Sequence, residues 1–443
     1  MSWQEVEGLD DLDRLRLVLK TMPDEELMRV LESDRGRGRD DYPVRAVWNS
    51  VLAGIVYQHP SVESLRRELL RNPDLREMCG FDPARGGGAA PPAHAYTRFL
   101  RSLMRHRAEL DGMFEALVER ARALLPGFGE HLAVDGKAIA SAAGRRSAKE
   151  TPDSRGEFDA DTGKKTYKGK RKDGSLWEKT VEWFGFKLHL IVDAEYELPV
   201  AYEVTRASAS DTTRLLPMME ALKENHPELV EGARTMIGDK GYDSAGNNRR
   251  LWDGYGIRPV IDNREVWKEK ETRLLNPDAA DNIVYDEKGK VYCVCPATGL
   301  EREMAYQGFE KGRECLKYRC PAAAYGLECA GRGECGGGSS GEFGRVARVP
   351  LELDRRIFVP LARSSKAFKN EYKKRTAVER VNSRLDVSFG FERHWIRGMK
   401  KMRLRCSLAL IVMLALAVGR VEENRPELMR SLVGSVRAKR PAA

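Results

Sequence analysis

HLAVDGKAIA, residues 131–140, decides the fold. Its apolar and β-branched residues describe a buried strand. Asp135 nevertheless stands in the middle, where an ionised carboxylate is costly unless it is paired or bound to a cation. Downstream, the polar and basic stretch RRSAKETPDSRGEFDADTGKKTYKGKRKDGS (145–175) reads as a loop. WFGFKLHLIVDA (183–194) alternates apolar and polar residues and meets LPVAYEVTRAS (198–208) across a turn at 195–197, the pattern of an antiparallel hairpin. Asp211 is placed to cap the helix TTRLLPMMEALKENH. ARTMIGDKGYDS (233–244) is a strand that stops at Gly238, leaving Asp239 at its end, with Gly238 and Gly241 permitting close backbone approach. The helix AGNNRRLWDGYG and the strand IRPVIDN follow. Strand, hairpin, helix, strand, helix, strand is a mixed α/β core.

Upstream, from Leu12 to about Cys79, apolar residues recur at helical spacing with breaks at Pro60 and Pro73, and Pro23 with Asp24 marks a helix start. GGGAAPP (86–92) reads as a flexible joint before a further helical pair that ends at Pro126. After Asn263 the α/β pattern is interrupted by about 90 Gly-rich, strand-like residues holding six of the chain's eight cysteines, between Cys293 and Cys335. Helical periodicity returns near Ser365 and runs through Gly419. The expected segments are 1–126, a helical region; 127–263, the first part of the core; 264–355, the inserted module; and 356–443, the second part of the core.

The composition is that of a globular protein, 42% hydrophobic and 32% charged over 443 residues. Its longest apolar run, Leu408 to Val418, is short of the ~20 residues a membrane span needs and reads as a buried helix closing the core. The N-terminal MSWQEVEGLDDLDRL is acidic and carries no secretory pattern, so a cytoplasmic, nucleoid-associated protein is expected. In a reducing compartment clustered cysteines read as metal ligands. Cys315 and Cys320 sit five apart in CLKYRC and face opposite ways on a strand. The expected structural Zn²⁺ set is therefore Cys295, Cys320, Cys329 and Cys335, with Cys293 as the alternate. Cys79 and Cys406, in apolar helical surroundings, read as core, and His189 as a satisfied core or rim residue.

EYKKRTAVERVNSRLDVSFGF (371–391) can be drawn as a helical wheel. Tyr372, Arg375 and Glu379 share one stripe, while Ala377, Val378, Val381 and Leu385 form the opposite, core-facing side. Together, VDGKAI, the hairpin with VTRASASDTT, IGDKGYDS and Tyr372-x-x-Arg375-x-x-x-Glu379 resemble the DDE-type transposases of bacterial insertion sequences, the branch with a Tyr-Arg-Glu-Lys signature. The resemblance covers about 131–419 apart from the cysteine module, and the N-terminal helices also look like that family's. It implies an α/β, ribonuclease-H-like mixed-sheet catalytic core, joined to an all-α N-terminal region and a small Cys-rich β insertion. It also implies that Asp135, Asp239 and Glu379 hold two Mg²⁺ or Mn²⁺ ions, and that Tyr372 and Arg375 contact phosphate or a DNA end. One position departs: where the signature ends in Lys, this chain has Asp386, leaving Arg380 or Arg384 as candidates for the missing cation.

Two carboxylate-bound divalent ions can activate a water or a 3′-hydroxyl and stabilise the leaving oxygen during displacement at phosphorus. The expected partners are double-stranded DNA, as element ends and target, and a second copy of the chain in a homodimer. Further DNA contacts are expected from Lys168, Lys170, Arg171 and Lys172 in KKTYKGKRK (164–172), and from the stretch around Trp395. The net charge of +9 has a location, since 366–405 holds 13 Lys and Arg against 4 Asp and Glu. Two alternatives stand beside the transposase: a related nuclease without strand transfer, and a domesticated zinc-containing DNA-binding protein.

Overall fold

The computed structural model describes residues 11–36, 41–144, 157–171, 173–267, 271–277, 282–335 and 343–430. Close packing divides the chain into two units: Met1–Phe128, Gly136–Ala209 and Val378–Ala443 form the first, and Gly129–Asp135 with Ser210–Ala377 the second.

Among the described residues the first unit begins with seven helices: α1 (Asp11–Thr21), α2 (Glu25–Arg35), α3 (Val44–Val56), α4 (Val62–Arg71), α5 (Pro73–Cys79), α6 (Ala93–Leu103) and α7 (Arg107–Leu124). Helices α4 and α5 start where side-chain oxygens of Ser61 and Asn72 accept backbone N–H groups, and Pro73 occupies the first turn of α5. Asp24 precedes α2 but makes no side-chain cap. Its carboxylate instead accepts from Arg45 at 2.5 Å and from the buried indole N–H of Trp48 at 2.6 Å, tying α2 to α3. The GGGAAPP stretch, expected as a flexible joint, begins in a 3₁₀ turn (Pro83–Ala89) packed on α4 and α5, and Ala89 and Ala90 are buried.

β1 (His131–Ala140) carries residues of both units. In the first unit the strand order is β2–β3–β1, where β2 is Asp161–Lys170 and β3 is Leu176–Asp193, and β4 (Leu198–Arg206) pairs with β3. The hairpin of β3 and β4 is the expected one, antiparallel around a turn at 194–197. Within the stretch expected as loop, Asp161–Lys170 is instead strand β2, antiparallel to an extension of β3 that begins at Leu176, while 145–156 and 172 lie outside the described residues. Two glycines explain the difference. Gly163 and Gly169 stand opposite Trp183 and Trp177, whose rings occupy the space a Cβ would take. Such cross-strand packing stabilises a ribbon that propensity alone would leave open. A cross-strand acid, Glu182, lies 3.4 Å from Lys164.

In the second unit β1, β5 (Thr235–Gly238) and β6 (Arg258–Ile261) run parallel. Between β4 and β5 the chain forms α8 (Leu215–Asn225) and α9 (Pro227–Gly232), and between β5 and β6 comes α10 (Ala245–Arg249), closed by a π-helical turn. The module after Asn263 forms two small antiparallel sheets. One is β7 (Arg273–Leu274), β8 (Ile283–Tyr285), β9 (Val291–Val294) and β10 (Glu301–Glu303). The other is β11 (Ala305–Glu310), β12 (Cys315–Arg319) and β13 (Val346–Pro350). A core of Ile283, Tyr285, Val291, Leu316, Tyr318 and Val349 with Phe358 joins them. A one-turn helix, α11 (Pro321–Tyr325), follows β12, and α12 (Lys366–Tyr372) packs on β5 and β6.

The chain then runs through α13 (Thr376–Phe389) to the long α14 (Met399–Glu422). This 24-residue helix is apolar enough by length and composition to cross a bilayer, yet 94% of its most apolar window is buried within the protein. It packs on α1, α3, α7 and β4. Gly419 is where α1 approaches most closely: a Cβ there would sit 2.6 Å from Thr21 Oγ1 and 2.7 Å from Leu17.

Candidate active site

Asp135 and Asp239 are brought side by side by the register of parallel strands. Val134 lies opposite Gly238, so the next residue on each chain is an aspartate, on strands about 4.8 Å apart. Leu132, Ala133 and Val134 are fully buried and anchor β1 below the site. β5 ends at Gly238, and Asp239 begins a 3₁₀ turn (Lys240–Tyr242) by accepting the Gly241 N–H at 2.7 Å. Gly241 leaves room for that carboxylate, since a Cβ would fall 2.6 Å from Asp239 Oδ1 and displace it.

A third carboxylate, unassigned by sequence reasoning, enters from the loop after β4. Asp211 was expected as a helix cap, but it caps neither its own 3₁₀ turn nor α8. Its Oδ2 instead lies 3.4 Å from the position a Gly241 Cβ would occupy. Tyr242, fully buried, senses all three acids: burial first, then the charges of Asp211, Asp135 and Asp239, raise its phenol well above the ordinary value. Its hydroxyl has no hydrogen-bond partner among the described residues.

Mg²⁺ characteristically takes one or two carboxylates and keeps several waters. The neighbouring pair Asp135 and Asp239, with a buried unsatisfied hydroxyl and a further acid close by, suits that donor preference. Among the described residues, no three His, Cys, Asp or Glu are gathered tightly enough to hold a metal ion as they stand.

Tyr372 ends α12, and Arg375 lies in the 3₁₀ turn Lys373–Arg375, so the expected continuous helix is broken between them and Glu379. Tyr372 stacks on Phe368, and Arg375 lies over its ring with 5.8 Å to the centroid. Burial first, then the negative charges of Asp262 and Asp239, push the Tyr372 phenol up to about 12 against the opposing effect of Arg375. The tyrosine thus stands within the field of the strand-end aspartate.

Glu379 is exposed on α13, whose Ala377, Val378, Val381 and Leu385 are fully buried, as the wheel required. Arg380 and Arg384, expected as DNA contacts, are turned to Glu197 in the β3–β4 turn. Arg380 Nε lies 2.5 Å from the Glu197 carboxylate, and Arg384 reaches the carboxylate at 3.6 Å while donating to the carbonyl. Burial pushes the Arg384 guanidinium down to about 10. Asp386 is bound by Lys137, whose ammonium lies 2.6 Å from Oδ2 and 3.5 Å from Glu392. Lys137 lies two residues beyond Asp135 on the same strand face, and Asp386 two helical turns beyond Glu379 on nearly the same helix face. A double-mutant cycle of Lys137→Met and Asp386→Ala, read by chemical denaturation, is expected to return a coupling of about 1–3 kcal/mol. A coupling near zero would mean the pair is not a working anchor.

Of the remaining expected DNA contacts, Lys168 and Lys170 belong to β2, Arg171 is exposed at the hairpin turn, and Lys172 lies outside the described residues. Trp395 is 75% exposed. Cys79 and Cys406 are fully buried, and the His189 ring bonds to Thr205 at 2.9 Å.

In the inserted module Cys293, Cys295, Cys320, Cys329 and Cys335 line one small cavity of about 20 Å³. The Thr298 side chain and the amides of Thr298, Ala297 and Gly331 bond to the Cys295 sulfur and draw its thiol down to about 7. Burial, then neighbouring Cys335 and Cys320, push Cys293 up to about 11. Cys315 points away, its sulfur 3.7 Å from Glu310.

The family described as "Transposase DDE domain" matches residues 126–415. A Burkholderia cepacia protein named as a transposase for insertion sequence element IS402 is 37% identical over 87 residues, which cover 18% of this chain and 39% of that protein. The chain thus spans well under half the length of this curated relative.

Proposed function

This chain belongs to the transposase DDE domain family, and from that premise we propose that it is a DNA transposase of an insertion sequence. It binds the terminal inverted repeats of its own element and catalyses metal-dependent strand cleavage followed by strand transfer. The observation that carries this reading is the pairing of Asp135 with Asp239 at the point where two parallel strands part. Together with Glu379 they are proposed to hold two Mg²⁺ or Mn²⁺ ions, which when bound activate the attacking oxygen and offset charge on the leaving one. Tyr372 and Arg375, whose ring and guanidinium support each other, orient a phosphate beside Asp239. The β2–β3 hairpin with Lys168, Lys170 and Arg171, together with Lys172 from outside the described residues, tracks the DNA backbone, and Arg380 and Arg384, which also tie α13 to Glu197, add further DNA contacts. The N-terminal helices supply end recognition or dimer contacts, since two ends have to be joined.

The inserted module is proposed to hold a structural Zn²⁺ through Cys295, Cys320, Cys329 and Cys335. The amide hydrogen bonds converging on Cys295 support its place in the set, because a thiolate is the form that ligates. Purified full-length protein is expected to contain one zinc per chain, to lose it in Cys295→Ser and Cys320→Ser, and to keep it in Cys315→Ser. Zinc-free protein, or loss in Cys315→Ser alone, would refute the assignment.

Nicking and joining of DNA bearing the repeats that flank the coding region test the central reading. Mg²⁺-dependent nicking with joining supports it. Nicking without joining favours a nuclease, and DNA binding without nicking a domesticated binding protein.

A further inference from the structure

The loop after β4 and the turn after β5 are locked together by more bonds than either needs to close. Thr212 Oγ1 donates to the Gly241 carbonyl at 2.6 Å. The Asn247 side chain bridges the carbonyls of Thr212 and Tyr242, each at 3.0 Å. Arg264 bonds to Thr212, to the Gly241 carbonyl and to the Lys240 carbonyl. The effect is to fix Asp211, one residue before Thr212, beside the carboxylate of Asp239. Tyr242, fully buried, feels the charge of all three acids, and its hydroxyl has no hydrogen-bond partner among the described residues. An orphaned buried hydroxyl is costly, and beside three carboxylates a partner that arrives with a bound ligand would satisfy it.

Resting on the reading of Asp135 and Asp239 as cation ligands, we infer that Asp211 and Tyr242 are positioning residues that hold a water of the bound cation. Asp211 accepts a hydrogen bond from that water, and the Tyr242 hydroxyl forms a second hydrogen bond to it. Neither touches the cation directly, in keeping with the absence of a ready-made three-ligand group among the described residues. Partners at one remove typically set metal affinity by 10–100-fold.

The test is Mn²⁺ binding to the full-length protein without DNA, by titration calorimetry with paramagnetic resonance as a second readout. Asp211→Asn and Tyr242→Phe, both nearly isosteric, are expected to weaken Mn²⁺ binding by about 10–100-fold and to alter the resonance linewidth. Their thermal unfolding in metal-free buffer is expected to match the parent protein. Asp135→Ala is expected to remove binding altogether. Wild-type affinity in Asp211→Asn and Tyr242→Phe, beside loss in Asp135→Ala, would overturn this inference while leaving the site intact. Undiminished binding in Asp135→Ala would overturn the site itself.

Discussion

Asp239→Asn is expected to reduce Mg²⁺-dependent nicking of terminal-repeat DNA by roughly a thousandfold or more. The substitution keeps an oxygen able to accept the Gly241 N–H, so the 3₁₀ turn that Asp239 starts is preserved. What it removes is the negative charge facing Asp135 on the neighbouring strand. A bound cation contributes several kcal/mol to charge stabilisation in phosphoryl displacement, and ~4 kcal/mol corresponds to that factor. Glu379→Gln is expected to act similarly, and Asp253→Asn, which removes a partly exposed acid paired with Arg355, is expected to leave nicking unchanged. Unimpaired cleavage by Asp239→Asn and Glu379→Gln, with circular dichroism unchanged, would remove the carboxylates from the chemistry.

Asp243→Ala should instead unfold the protein more readily, although it lies four residues further along the same motif. Its side chain is fully buried and lies 3.2 Å from Arg356 and 3.9 Å from Arg363. It also accepts the Arg264 N–H at 2.9 Å. Arg363 is itself buried, and burial pushes its guanidinium down to about 10 despite the opposing charges of Asp243 and Asp262. Removing the acid strands a buried cation, a loss of about 3–5 kcal/mol. Arg356 keeps Glu287 at 3.0 Å, so the damage falls mainly on Arg363. At ~2–4 °C per kcal/mol the melting temperature should fall by roughly 6–20 °C. Adding Arg363→Met should recover much of that loss, because the uncompensated charge goes with it. A melting temperature within a degree or two of the parent for Asp243→Ala alone would contradict the buried network.

The two aspartates of GDKGYDS thus have separate duties, and nothing in their spacing distinguishes them. Asp239 sits where a strand ends and the backbone turns, whereas Asp243 is covered by two arginines more than a hundred residues away. Asp211 departs from its expected role for a related reason: an aspartate before a helix is usually a cap, but the chain places it inside a 3₁₀ turn, with its carboxylate near the Gly241 turn from a different segment. Arg380 and Arg384 looked free for DNA because Glu197, almost two hundred positions upstream, is brought to them only by the fold.

Local chemistry was enough, by itself, to determine the strand that carries Asp135 and the one that stops before Asp239, the β3–β4 hairpin, the apolar side of the Glu379 helix and the buried α14. Each depends on a periodicity or a turn residue within one short segment, where side-chain alternation and burial act together. Only the tertiary structure decided which charges meet. Ion pairs such as Lys137 with Asp386, and the convergence of Asp211 with the strand-end pair, join residues distant in sequence. Opposite charges attract at any sequence separation, so a linear pattern carries no record of which partner the folded backbone delivers.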